Sequence, residues 1–175
     1  SANAIKIVKK LDETKEFLFI PDQYLGHYVS TELNKKIVLW PGYCPTHVRI
    51  LPEDIIRLKS EHPQAKVMVH PECRPEVISL ADGVQSTVGM CKFAKETEAP
   101  EIIVGTELGI IHRLRKENPE KRFFTASEQA ICPDMKLITL KKVVWSLEEM
   151  QSQIKVPVEI ANKARKAVDK MLELG

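Results

Sequence analysis

Short apolar, β-rich runs alternate with longer amphipathic stretches along this chain, and that alternation restricts its fold more than any other feature. The runs lie at 17–20, 37–40, 66–69, 101–104 and 122–125, with a shorter one at 83–84. Each is brief and largely apolar, the pattern of strands buried on both faces of a parallel sheet. The intervening segments 22–33, 52–61, 75–81, 88–96 and 107–117 carry helical spacing, and Pro52 and Pro75 stand where a helix can begin. Strands alternating with helices define the α/β class. Two further helices, 140–150 and 157–174, follow with no strand after them. The last places Ile160, Ala164, Ala167, Val168 and Met171 on one stripe and is expected to pack against the outside of the fold.

One internal similarity marks a repeated turn. Residues 57–63 read RLKSEHP and residues 113–119 read RLRKENP, so the pattern R-L-[KR]-x-E-x-P twice closes a helix ahead of a strand. Composition then limits the partners. With 26 basic and 24 acidic residues the net charge is +2, which gives no general attraction to nucleic acid or to a membrane surface, so any anion site must be local. No apolar run approaches the length of a membrane span, and no signal peptide opens the chain, so a cytoplasmic protein is expected. The start at Ser1-Ala2-Asn3-Ala4, without an initiator Met, leads to the expectation of a fragment or a trimmed chain.

Polar and metal-capable residues gather where the strands end. Pro21-Asp22 follows the first run, Pro41-Gly42-Tyr43-Cys44 the second, His70-Pro71-Glu72 the third and Gly105-Thr106-Glu107 the run at 101–104. In open parallel sheets, ligands bind at these carboxyl ends. Ser86 and Thr87 follow the run at 83–84 and open a helix, where they serve as an N-cap or hold an anion. Four widely spaced cysteines do not form a disulfide framework in a chain of 175 residues. Cys44-Pro45-Thr46-His47 and His70-Pro71-Glu72-Cys73 together offer a Cys2His2 zinc set of Cys44, His47, His70 and Cys73, which would make the chain a non-catalytic, zinc-stabilised binding module. Cys91 lies in an apolar helix and reads as a packed small hydrophobe. Cys132, like Cys44, sits in a loop ahead of proline, and thiolates so placed can reach an iron–sulfur cluster. Spacing alone leaves both as ligands or as core residues.

The motifs PGYCPTH, VHPEC, QSTVGM, GTELGIIHRLRKENP and ICPDMK, in this order, resemble the quinolinate synthase family, and the opening SANA is similar to the end of that family's TSANA motif. The resemblance implies repeated three-layer αβα units with short parallel sheets, arranged pseudo-symmetrically around a central site. Residues 1–46 would be the remainder of a second unit, 47–130 the third, and 131–175 a cluster-ligand loop with C-terminal helices. It also implies an enzyme of NAD biosynthesis, a transferase that condenses iminoaspartate with dihydroxyacetone phosphate to quinolinate. A [4Fe-4S] cluster would act as Lewis acid, held by Cys44, Cys132 and a third cysteine from an N-terminal unit absent from this chain. Glu72 and His70 would be catalytic. Ser1, His47, His70, Glu72, Ser86 and Thr87 would bind substrate, and Met135 would pack near the cluster loop. The missing N-terminal unit would be an obligatory partner, L-aspartate oxidase a functional one, and this chain alone would lack an intact site.

Overall fold

The computed structural model describes residues 2–11 and 15–174. These divide into two compact units, one ending at Ile131 and one beginning at Cys132. Among the described residues, no helix is long and apolar enough to cross a membrane.

The first unit begins with helix α1 (Ala4–Lys9), strand β1 (Leu18–Phe19), helix α2 (Gln23–Leu33) and strand β2 (Val38–Leu39). The two strands pair in parallel, Leu18 with Val38 and Phe19 with Leu39. They are shorter than the apolar runs that contain them, because only one face is covered. Phe19 and Ile37 pack with Val8, Leu25 and Val29 of α1 and α2. On the other face Leu18, Ile20, Val38 and Trp40 are exposed.

A larger sheet follows. Helix α3 (Pro52–Glu61) leads to β3 (Lys66–Val69), α4 (Pro75–Ile78) to β4 (Gly83–Val84), α5 (Thr87–Glu96) to β5 (Glu101–Gly105), and α6 (Ile110–Glu117) to β6 (Arg122–Thr125). All four strands are parallel, in the order β4-β3-β5-β6. Alternate residues point to opposite faces. Val67, Val69 and Ile103 pack with Ile55 and Leu58 of α3 and Val77 of α4. Met68, Ile102 and Val104 pack with Met90 and Ala94 of α5 and Ile111 and Leu114 of α6. The result is three layers, helix, sheet, helix. The chain leaves β3 toward one face and β5 toward the other, so these neighbouring strands flank the topological switch point.

The repeated heptapeptide closes α3 and α6 in the same way. Leu58 and Leu114 are buried on opposite faces of the sheet. His62 and Asn118 end the helices with φ, ψ of −129°, 71° and −138°, 70°. Each carbonyl accepts the N–H three residues on, Ala65 at 3.0 Å and Lys121 at 3.1 Å. Arg57–Glu61 and Arg113–Glu117 form equivalent ion pairs across one helical turn, at 3.2 and 2.6 Å.

Two helices depart from their expected ends. α4 stops at Ile78, where Leu80 and Ala81 continue in tighter turns onto Val77 and Ile78. α6 starts only at Ile110, because the Glu107 carboxylate accepts the Gly109 N–H at 2.7 Å and holds a turn in place of the first helical residues. In the second unit, α7 (Leu140–Glu149) and α8 (Val158–Leu174) bury no residue. On the stripe expected to pack α8 against the fold, Ile160, Val168 and Met171 are exposed.

Leu58→Ala and Leu114→Ala should each cost about 2 to 5 kcal/mol in urea denaturation, since both remove a buried side chain that cannot be replaced locally. Glu117→Gln, which breaks only an exposed pair, should cost under about 0.5 kcal/mol.

Candidate active site

Three loops of the first unit converge at the carboxyl ends of β3 and β5. The loop after β2 carries Cys44 and His47, the loop after β3 carries His70 and Glu72, and Thr106 follows β5 directly. Local structure explains how the first is held. Asp22, the N-cap of α2, is buried and accepts the Leu25 N–H with Oδ1 at 2.8 Å. Its Oδ2 accepts the Cys44 N–H, also at 2.8 Å. Burial raises the Asp22 carboxyl above its ordinary value. Gly42 permits the close approach of the two loops, because a Cβ there would lie 2.2 Å from the Pro21 carbonyl oxygen. A 3-10 turn, His47–Arg49, then directs His47 inward, and Arg74 Nε donates to the Val48 carbonyl at 3.2 Å.

His47 is buried between two partners. Its Nδ1 lies 3.1 Å from Glu72 Oε2, and its Nε2 lies 2.9 Å from Thr106 Oγ1. An ionised carboxylate is only an acceptor, so Nδ1–H donates to Glu72 and the Thr106 hydroxyl donates to Nε2. The His70 ring stacks on His47 at 4.4 Å, nearly parallel. Its Nδ1 accepts the Glu72 backbone N–H at 3.4 Å. Burial, together with the neighbouring His47, lowers the His70 pKa to about 4. The hydrogen bond from His47 holds Glu72 below its usual range. At neutral pH the site therefore contains a carboxylate and a neutral imidazole, both able to accept a proton.

Cys44, His47, His70 and Glu72 meet here, and a cavity of about 180 Å³ lined by Pro21, Asp22, Tyr43, Cys44 and Glu72 opens beside them. Ser86 lies just past the end of β4, the strand next to β3, and caps α5 by accepting the Gly89 N–H at 3.3 Å. Thr87 is the first residue of that helix and is exposed. Cys132 opens the second unit, half-buried, ahead of the 3-10 turn Asp134–Lys136. Met135, in that turn, is exposed and does not pack. Ser1 lies outside the described residues. Asp22 and Thr106, which hold Cys44 and His47, were visible in the sequence only as polar residues at strand exits.

The Cys2His2 zinc set is not formed. Cys73 is fully buried, its thiol donates to the Gly105 carbonyl at 3.5 Å, and burial pushes its pKa up to about 12. Among the described residues, the ligand atoms that do lie within 4.8 Å of one another belong to Cys44, His47 and Glu72.

A parallel αβα sheet with such a cluster at its switch point defines a ligand-binding α/β protein. The chain matches the family model described as Quinolinate synthetase A protein over residues 1–173, and it belongs to that family. The quinolinate synthase of Dehalococcoides mccartyi is 55% identical over 174 residues, which is 99% of this chain and 57% of that protein. The quinolinate synthases of Methanosarcina barkeri and Geotalea uraniireducens are 48% and 49% identical, covering 98% and 99% of this chain and 56% and 57% of theirs. The chain thus spans less than two thirds of the length of these relatives.

Alkylation of the native, metal-free chain should modify Cys44 well before Cys73, as peptide mapping after short reagent pulses would report. Stability of the same chain should fall with pH between about 6.5 and 4. There the unfolded His70 takes up a proton that the folded one refuses, so stability is full above the unfolded pKa and is lost as pH falls toward the folded one. The loss is on the order of 3 kcal/mol. Urea midpoints across this window should flatten in His70→Gln; an unchanged slope would assign the effect to another group.

Proposed function

We propose that this chain forms part of a quinolinate synthase that condenses iminoaspartate with dihydroxyacetone phosphate in NAD biosynthesis. The observation that carries the reading is the His47, Glu72 and Thr106 network at the sheet's switch point, beside a half-buried cysteine, in a chain of this family. Residues 1–46, 47–130 and 131–175 would be the end of a second unit, a third unit, and a ligand loop with terminal helices.

The cysteines suit a [4Fe-4S] cluster by their chemistry. Cys44 and Cys132 are half-buried and each precedes proline, whereas Cys73 and Cys91 are buried. Cys44 and Cys132 would hold the cluster with a third thiolate from outside this chain. Such a cluster, when bound, supplies a Lewis acid through the iron that lacks a protein ligand.

The chain's own side chains account for proton transfer and binding. Glu72 starts ionised, so it first acts as a base toward an acidic C–H or N–H of the substrate and then returns that proton to a leaving hydroxyl. His47 fixes the carboxylate's direction through Nδ1–H, and Thr106 fixes the tautomer of His47. His70, neutral and stacked on His47, presents a second proton-accepting ring. Ser86, Thr87 and the first turn of α5 would receive the phosphate of dihydroxyacetone phosphate or a product carboxylate. Ser1 would contact substrate. L-aspartate oxidase, as the source of iminoaspartate, would be a functional partner in the cytoplasm.

In the complete protein, Glu72→Gln should keep its iron and its fold yet lose turnover by about a hundredfold or more, measured as quinolinate formed under anaerobic conditions. Cys44→Ser or Cys132→Ser should lose the iron, while Cys73→Ser keeps it. Near-normal turnover in Glu72→Gln would remove the carboxylate from the mechanism.

A further inference from the structure

We infer that Glu107 is a positioning residue of this site: its carboxylate takes the helix-capping N–H that the Thr106 hydroxyl would otherwise take, and so leaves that hydroxyl to His47. The consequence for turnover rests on the function proposed above, whereas the consequence for the His47 ring does not.

Two demands compete at the exit of β5. Thr106 precedes a segment of helical spacing, and a threonine in that place ordinarily serves as the N-cap, its Oγ1 accepting the N–H two or three residues on. For a helix starting at 107 those groups are the Leu108 and Gly109 N–H, and the Thr106 carbonyl would accept the Ile110 N–H. The protein engages every one of them elsewhere. Glu107 Oε2 accepts the Gly109 N–H at 2.7 Å, the Ala130 carbonyl accepts the Leu108 N–H at 3.0 Å, and the Glu107 carbonyl accepts the Ile110 N–H at 3.5 Å. α6 accordingly opens at Ile110, with Gly109, which has no side chain to cap with, in the N-cap place. The Thr106 hydroxyl is turned instead on His47 Nε2, 2.9 Å away.

The same turn spares the neighbouring loop. The Gly105 carbonyl, four residues before Gly109 and so its partner in helical register, already accepts the His70 N–H at 2.9 Å and the Cys73 thiol at 3.5 Å. A Gly109 N–H released from Glu107 would therefore turn to the Thr106 hydroxyl or to the Gly105 carbonyl, and each of these holds a histidine of the site. Glu107 is only 8% exposed, so its carboxylate is an acceptor fixed within the fold and not a solvated surface charge. A local turn of three residues thus decides whether the Thr106 side chain belongs to a helix end or to the catalytic network.

Nitrogen NMR of the His47 ring in the 175-residue chain tests the inference, with amide exchange read on the same samples. In Glu107→Ala the Nε2 resonance should move toward that of an imine nitrogen with no donor, and Thr106→Val should give the same shift. The double variant should add nothing further, since both changes act on one hydrogen bond. Glu107→Gln, whose amide oxygen still accepts the Gly109 N–H, should match the parent. In the complete, iron-loaded protein Glu107→Ala should lower kcat by about tenfold or more, and Glu107→Gln should restore it. A merely structural role would speed amide exchange throughout the sheet and leave the ring resonance of the folded variant in place; that result would overturn the inference, as would a Glu107→Gln variant that behaves like Glu107→Ala. Should Glu107→Ala not fold, the parent decides: a Gly109 amide as slow to exchange as that of Leu108 supports the turn, and one as fast as an open loop amide overturns it. A complete parent protein that forms no quinolinate would sink the proposed function alone, since the ring resonances still report on Glu107.

Discussion

His47, held between Glu72 and Thr106, is the contact on which the arrangement of the first unit depends. Its two ring nitrogens reach the exits of two adjacent strands, and its own backbone belongs to the loop that follows a different sheet. One buried side chain therefore joins the small β1–β2 sheet to the large one and brings Cys44 beside Glu72. Losing either partner would leave a polar ring atom unsatisfied in a buried place, and that cost is what makes the geometry specific.

The same constraint sets the electrostatics. A second imidazole stacked on His47 cannot readily become a cation, and a carboxylate receiving Nδ1–H does not readily become an acid. Both groups therefore rest without their protons at neutral pH. A site so prepared suits proton abstraction.

Much of the fold was legible because parallel strands buried on both faces are written as short, mostly apolar runs. Lys66–Val69, Gly83–Val84 and Arg122–Thr125 fall where the sequence places them. The runs at 17–20 and 37–40 shrank to two residues each, since an uncovered face cannot hold longer pairing in place. Side-chain turns were harder to foresee: nothing in Glu107 signals that its carboxylate will take the Gly109 N–H and delay a helix. Within the site, His70, Glu72, Cys44 and His47 stood out by residue type and position. Asp22 and Thr106 did not, because their partners lie 22 and 59 residues away and a lone Asp or Thr at a strand exit is common. Burial, which only the fold reveals, separated Cys73 from Cys44.

The bare face of β1–β2 has a colloidal consequence. Leu18, Ile20, Val38 and Trp40 form an apolar patch on a chain whose net charge is only +2 and whose isoelectric point is about 8.3. Long-range repulsion between copies is weak at neutral pH and vanishes slightly above it, so mildly alkaline, high-salt solutions favour precipitation through this patch. Within the first unit, the uncharged side chains of this face thus favour association between copies wherever net charge is low.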